Sequence, residues 1–254
     1  MMNISVIGAG YVGLITGIGF AKLNHQVSIV DLNDDLIKNL NENRPPFYEP
    51  ELVDYLNDSN IRNNLFFSTS YQKSINENTD IVFVCVQTPT DPDTGKTKTD
   101  YISSVLTELK KIESFNFIIC IKSTIKATLV EKISNEIDLD YKKIIFNPEF
   151  LREGSAINDF FNPDRIVIGG SDQKGLDKCL ELYESFDCEK IITDSNSSQM
   201  IKYLSNTYLA MRLSFVNETY RLVSEFNGNP EEVLNAIGKD KRIGSDYFRP
   251  SPGW

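Results

Sequence analysis

The feature that most constrains this chain is a glycine cluster near its amino end. GAGYVG occupies Gly8 to Gly13, directly after an apolar strand pattern, NISVIG (3–8), and at the opening of a helix pattern (11–23). Strand, G-x-G-x-x-G and helix in that order form the context a dinucleotide pyrophosphate requires. Gly8 permits the tight turn, Gly10 lets the main chain approach the phosphates, and Gly13 allows close helix–strand packing. The helix start at Tyr11 and Val12 offers main-chain N–H donors to phosphate oxygens. A second strand pattern, QVSIVD (26–31), ends on Asp31, 18 residues after Gly13, where a carboxylate accepts hydrogen bonds from ribose hydroxyls. A 2′-phosphate would meet like charge there, with no Lys or Arg after Asp31 until Lys38. NAD is therefore expected over NADP.

Apolar runs of strand length then alternate with helix-length amphipathic segments, the pattern of a parallel sheet covered by helices. Further strands are expected at 64–69, 80–86, 115–122, 142–147, 165–170 and 190–194, and helices at 34–42, 50–57, 100–112, 126–137 and 173–186. The class is α/β, a doubly wound parallel sheet. QTPTDPDTGKTKTD (87–100) reads as a long surface loop at a strand's C-terminal edge, where such sheets bind ligands. From Ser195 to Phe226 runs a helix candidate of about nine turns, carrying Met200, Leu204, Tyr208, Met211, Phe215 and Val216. It is apolar on most sides and is expected to be buried between partners, a second lobe or another subunit. A domain boundary is expected near 195, with 1–194 binding the dinucleotide and 195–254 forming the long helix and the start of a helical dimerisation region.

Composition closes other routes. The net charge of −10 repels nucleic acid and anionic lipid surfaces, so neither is an expected partner. One histidine, His25, cannot build a multi-His metal site or a Ser-His triad. No metal is expected, and His25 reads as a solvated turn. Cys85, Cys120, Cys179 and Cys188 lack CxxC spacing, and the first two lie inside strand-like runs. They read as reduced core thiols of a cytoplasmic protein. No apolar run reaches the roughly 18–20 residues of a membrane span.

Beyond the glycine cluster come FYEPEL (47–52), CVQTPTD (85–91), IKSTI (121–125), FNPEFLREGSAINDF (146–160), IKYLSNTYLA (201–210), FVNE (215–218) and KRIGSDYFRPSPGW (241–254). In these segments and their order the whole chain resembles the UDP-glucose 6-dehydrogenase family, within the wider nucleotide-sugar dehydrogenases that oxidise a sugar C6 alcohol to a carboxylate. The resemblance implies a Rossmann-like NAD domain and a four-electron oxidation using two NAD. It implies that Thr124 holds a water, that Glu149 positions or deprotonates it, and that Lys202 and Asn206, one helical turn apart, stabilise an alkoxide and an oxyanion. Phe150, Leu151, Arg152 and Glu153 would wrap the sugar, with Glu153 also near the cofactor. Thr88 would touch the cofactor, Glu49 would shape the loop beside it, and Arg242 and Tyr247 would contact the nucleotide.

There are departures. Gln87 stands where the family reads glycine, and Leu36 where a basic residue is frequent. Family members continue after PGW with Gly-Gly-x-Cys, Pro-Lys-Asp and a UDP-binding domain. The chain therefore resembles the amino-terminal part of such an enzyme, expected to bind NAD, to pair as a homodimer through the long helix, and to be inactive by itself. Rival expectations are a dehydrogenase of UDP-N-acetyl-mannosamine or a related sugar, and a non-catalytic NAD-binding module.

Overall fold

The structure, a computed structural model, describes residues 1–112 and 116–252. It divides into two compact units, Met1–Met200 and Ile201–Trp254.

In the first unit, short runs of β-branched and aromatic residues form β1 (Asn3–Ile7), β2 (Gln26–Val30), β3 (Leu65–Ser68), β4 (Ile81–Val84), β5 (Ile118–Ile121), β6 (Ile144–Phe146), β7 (Arg165–Gly169) and β8 (Glu189–Thr193). They make one sheet in the order β3-β2-β1-β4-β5-β6-β7-β8. The expected strands are all present, each within a few residues of its sequence boundary; Phe115, the first residue of one expected strand, lies outside the described residues, as do Gly253 and Trp254. Helices α1 (Tyr11–Lys22), α2 (Asp34–Asn41), α3 (Leu52–Asn57), α4 (Ser59–Arg62), α5 (Tyr71–Ser74), α6 (Asp100–Lys110), α7 (Ala127–Glu136), α8 (Ala156–Phe161) and α9 (Gln173–Leu182) fill the connections. Then α10 (Ser195–Glu225) runs through the division between the units.

Alternation along the central strands sorts the core into two layers. Val6, Phe83 and Cys120 face Leu14 and Ile18 of α1 and Cys179 of α9, while Ile7, Val84 and Ile121 face Leu106 of α6 and Val130 of α7. Burying each such aliphatic side chain contributes roughly 1.5–3 kcal/mol. Because both faces are covered, the strands read as nearly continuous apolar runs.

The sheet departs from the expectation at one edge. β1 to β6 are mutually parallel, but β6 pairs antiparallel with β7, and β8 runs parallel to β7. A parallel return needs a crossover of a dozen or more residues, usually a long helix. The connection here, residues 147–164, is long enough for one but has only the six-residue α8 as its helix, which packs Phe160 against Phe20 of α1. The chain thus re-enters the sheet from the edge it had just left.

Two smaller readings are corrected. Cys85 lies just past β4 rather than within it, although it is still buried. His25 does sit in the turn after α1, but it is half-buried, its Nδ1 accepting from the Met2 amide at 3.1 Å with the Phe20 ring beside it. Burial lowers its pKa.

In the second unit, α10 is followed by α11 (Pro230–Ile237), which opens with Asn229 as N-cap, Pro230 and two acidic residues, a start signal the sequence displays plainly. The segment after α11 folds back on α10. Arg212 donates to the Gly244 carbonyl at 3.2 Å with Phe248 beneath its guanidinium, and Asn217 exchanges two hydrogen bonds with Ser251. Among the described residues no helix is long and apolar enough to cross a membrane.

Candidate functional site

The C-terminal edge of the parallel strands carries the candidate residues of the first unit, and the glycine turn after β1 is its centre. Gly8 has φ +98, a conformation L side chains rarely adopt, and a Cβ there would lie 2.7 Å from the Cys85 carbonyl oxygen. A Cβ at Gly13 would run into the carbonyl oxygen of Gly8. Gly10 is different: nothing lies within 4 Å of where its Cβ would be. Two glycines close the turn against protein, and the third leaves a face bare for a ligand. Gly10 is also the N-cap of α1 with no side-chain cap, so the first-turn N–H groups of Tyr11 and Val12 are not covered by a cap side chain. An anionic pyrophosphate fits this cradle.

Asp31 follows β2. Its Oδ2 accepts from the Ala9 amide at 2.8 Å, inside the glycine turn, and its Oδ1 from the Asn33 amide at 3.0 Å. A carboxylate has about four acceptor sites, so the two main-chain donors fix its orientation and leave capacity for ribose hydroxyls.

The loops after β4, β5 and β6 are tied to one another. Thr88 donates to the Thr124 carbonyl at 2.8 Å. Ser123 donates to Val86 O at 2.6 Å, so its hydroxyl is spent on structure. The Ile125 amide donates to Gln199 Oε1 at 3.3 Å, in the part of α10 belonging to the first unit. After β6, Glu149 turns its own loop by accepting from the Leu151 amide at 2.7 Å.

Behind this edge lies a buried cation. Lys122 Nζ donates to Asn147 Oδ1 at 2.9 Å, to Asn147 O at 3.5 Å and to the Tyr183 hydroxyl at 3.5 Å. Tyr183 donates in turn to Asn147 Oδ1 at 2.6 Å, and Asn147 Nδ2 to Val167 O at 2.8 Å. Burial lowers the pKa of Lys122 and raises that of Tyr183, in each case disfavouring the charged form. The same burial pushes the Cys85 thiol up to about 12.

The segment expected to wrap the sugar comes next to the glycine turn. Tyr11 donates to Glu49 Oε2 at 2.7 Å and approaches the Arg152 carbonyl at 3.1 Å. Burial and the adjoining Glu49 raise the Tyr11 pKa, with Glu153 adding to the effect. Phe150 lies under the Arg165 guanidinium at 4.1 Å. Arg152 is forked onto Asp159, Nε to Oδ2 at 3.0 Å and Nη2 to Oδ1 at 2.6 Å. Burial would raise the Asp159 carboxyl, but Arg152 outweighs it and holds it below the usual range. The loop thus uses this arginine for its own shape.

In the second unit, Lys202 and Asn206 lie one turn apart on α10, Arg242 is paired with Asp240 at 2.6 Å, and Tyr247 has a left-handed φ of +62. The first unit therefore brings together Gly8, Gly10, Tyr11, Val12, Gly13 and Asp31 on one side and Thr88, Thr124, Glu149, Phe150, Leu151, Arg152 and Glu153 along the same edge. Sequence reasoning missed Lys122, Asn147, Tyr183 and Gln199, and saw only faintly what Glu49 does. The one available signal was a lysine closing the apolar strand run, just before Ser123.

Residues 2–187 match the NAD binding domain of the UDP-glucose/GDP-mannose dehydrogenase family, and residues 196–254 match its central domain. The UDP-glucose 6-dehydrogenase YwqF of Bacillus subtilis is 35% identical over the entire chain, which spans 58% of that relative's length. A solved UDP-glucose dehydrogenase from the hyperthermophilic archaeon Pyrobaculum islandicum matches with a TM-score of 0.91 at 34% identity, over 100% of this chain and 60% of its own. The GDP-mannose dehydrogenase of Pseudomonas aeruginosa matches with a TM-score of 0.89 at 28% identity, over 98% of this chain and 60% of its own.

Proposed function

Because this chain belongs to the UDP-glucose/GDP-mannose dehydrogenase family, with residues 2–187 as its NAD-binding domain, we propose that it serves NAD-dependent oxidation of a nucleotide sugar at C6, with UDP-glucose as substrate and UDP-glucuronate as product. The observation that carries this reading is the adjacency of two structures: a glycine turn bare on its Gly10 face, and the Phe150–Glu153 loop joined to it through Tyr11 and Glu49. When bound, NAD accepts the hydride that leaves C6. Gly10, Tyr11 and Val12 hold its pyrophosphate, Asp31 its adenosine ribose, and Thr88 and Glu153 its nearer end. Glu149 takes the alcohol proton through a water held by Thr124. Lys202 and Asn206 supply a cation and an amide donor to the developing negative charge, and Arg242 and Tyr247 serve the nucleotide. The division of labour falls at 194/195, dinucleotide before it and dimerisation after it.

The four cysteines limit what these residues do alone. Cys120 and Cys179 are fully buried, and burial raises Cys85, Cys120 and Cys188. A nucleophilic thiol needs its pKa lowered, so none is suited to trapping an aldehyde, and residues 1–254 by themselves do not complete the sugar acid. This observation also favours the second reading, an NAD-binding module without catalysis. The exposed apolar residues Met200, Leu204, Tyr208, Met211, Phe215 and Leu222 follow one side of α10, which suits a second copy of the chain. Free thiols accord with the cytoplasm, and the net charge of −10 speaks against nucleic acid.

Calorimetric titration of the purified gene product with NAD and NADP, followed by NADH absorbance with UDP-glucose, UDP-N-acetyl-mannosamine and GDP-mannose, tests the proposal. NAD should bind at least about tenfold tighter than NADP, as expected for a charged hydrogen bond worth about 1.5–3 kcal/mol, and UDP-glucose should be the preferred sugar. Equal or tighter NADP binding overturns the assignment of Asp31; turnover of another sugar alone overturns the substrate.

A further inference from the structure

Glu49 is a carboxylate with 3% exposure, placed in the irregular FYEP segment ahead of α3. Its partners come from two other segments. Oε2 accepts from the Tyr11 hydroxyl at 2.7 Å and from the Gly154 amide at 2.9 Å, and Oε1 accepts from the Ala156 amide at 2.8 Å. The Tyr11 ring packs on Phe47 of the same FYEP segment, with centroids 4.9 Å apart. Tyr11 is the first residue of α1 and so belongs to the glycine turn; Gly154 has φ +84, and Ala156 opens α8. One buried charge therefore closes the turn that receives the pyrophosphate onto the loop that follows Phe150–Glu153.

We propose that Glu49 is a positioning residue that couples cofactor occupancy of the glycine turn to the order of the 150–156 loop. Occupancy at the α1 N-terminus holds the first helical turn, and with it the Tyr11 phenol. The phenol holds the Glu49 carboxylate, and that carboxylate holds the Gly154 and Ala156 amides at the far end of the loop. Linkage makes the effect reciprocal, so an ordered loop strengthens cofactor binding by the same factor. The sugar-binding consequence rests on the assignment of 150–153 to the sugar; the cofactor consequence does not.

Hydrogen exchange of the 254-residue chain, read at Gly154 and Ala156 with and without NAD, tests the coupling, because a main-chain amide exchanges only as its hydrogen bond opens. In the unaltered protein NAD should slow exchange at these two amides about fivefold or more, within the usual range of coupling between sites. Tyr11→Phe keeps the ring and removes the donor. The amides should then exchange at one rate whether or not NAD is bound, while the circular dichroism spectrum and melting temperature stay those of a folded protein. Glu49→Gln should weaken NAD binding about fivefold by calorimetry, although the residue touches no cofactor. If Tyr11→Phe retains the full response to NAD, or Glu49→Gln binds NAD as the unaltered protein does, the coupling is overturned. A parallel arm with UDP-glucose separates the two assignments: NAD protection of the loop without UDP-glucose protection supports the coupling and removes the loop from the sugar site.

Discussion

Glu49 and Lys122 are both buried charges behind the same edge of the sheet, yet they are held by opposite means. Glu49 gathers donors, one phenol and two main-chain amides, from segments more than a hundred residues apart in the chain. Lys122 is surrounded by neutral acceptors, and its chief acceptor, Asn147 Oδ1, already accepts a hydrogen bond from Tyr183. Removing the anion orphans the buried Ala156 N–H. Removing the cation leaves Asn147 Oδ1 still bonded to Tyr183. A buried charge is thus indispensable when its partners have no other partner, and its own desolvation cost says little about that.

Three substitutions separate these cases by denaturant titration. The largest effect is expected from Asn147→Leu, which keeps the buried ammonium but removes its side-chain acceptor and the bond to Val167 O. It should cost about 3–5 kcal/mol, as for a buried charge stripped of its partner. A loss below about 1 kcal/mol would show that Lys122 is carried without its proton. Next comes Glu49→Met, which leaves the buried Ala156 amide unpaired and gives the exposed Gly154 amide to water, and should cost about 1–3 kcal/mol. Lys122→Met should stay within about 1 kcal/mol of the unaltered protein. Equal losses for the two methionine variants would erase the contrast.

The glycine turn was readable because each of its requirements is local: three glycines, a preceding strand and an acidic strand end fall within 31 residues of the amino terminus. The Glu49 clamp was not, because two of its three donors are main-chain N–H groups at Gly154 and Ala156, and main-chain donors carry no sequence signature. Lys122 left only the trace of a charge at the end of an apolar run. RIVIGG announces a strand at 165–170 but not its direction, since alternation looks the same from either end. The short α8, which lies in the connection ahead of it, is too brief to show a helical period. Catalytic roles for Thr124 and Glu149 came from family resemblance; the structure adds the hydrogen bonds that hold their loops.

The smallest expected effect is in alkaline solution, where the thiols and the lysine act in opposite directions. Cys85 has a folded pKa raised to about 12, so its contribution is complete below the ordinary thiol value of about 8.5 and is lost as pH climbs toward 12. Lys122 has a lowered folded pKa. The unfolded chain binds the extra proton between that value and about 10.4, so this residue adds stability as pH rises through the window. Between about pH 8 and pH 10, Cys85→Ala should flatten the fall in unfolding free energy and Lys122→Met should steepen it, each by at most about 1.4 kcal/mol per pH unit. Parallel curves for all three proteins would remove both groups from the titration.

The reversal at β7 has a mechanical consequence. β6 meets β7 only where Phe146 faces Gly169, whereas β7 and β8 pair along their whole length. The sheet therefore has a weak seam, and hydrogen exchange is expected to find native-state opening along it, with β7, α9 and β8 leaving as one flap and β1 to β6 staying closed. Three links from the polar cluster cross that line, Asn147 to Val167, Tyr183 to Asn147 and Lys122 to Tyr183. Opening the flap wets the amine and returns it to an ordinary proton affinity. As pH falls through the window between the lowered folded value of Lys122 and about 10.4, opening takes up a proton, so the flap loosens ahead of the rest of the sheet.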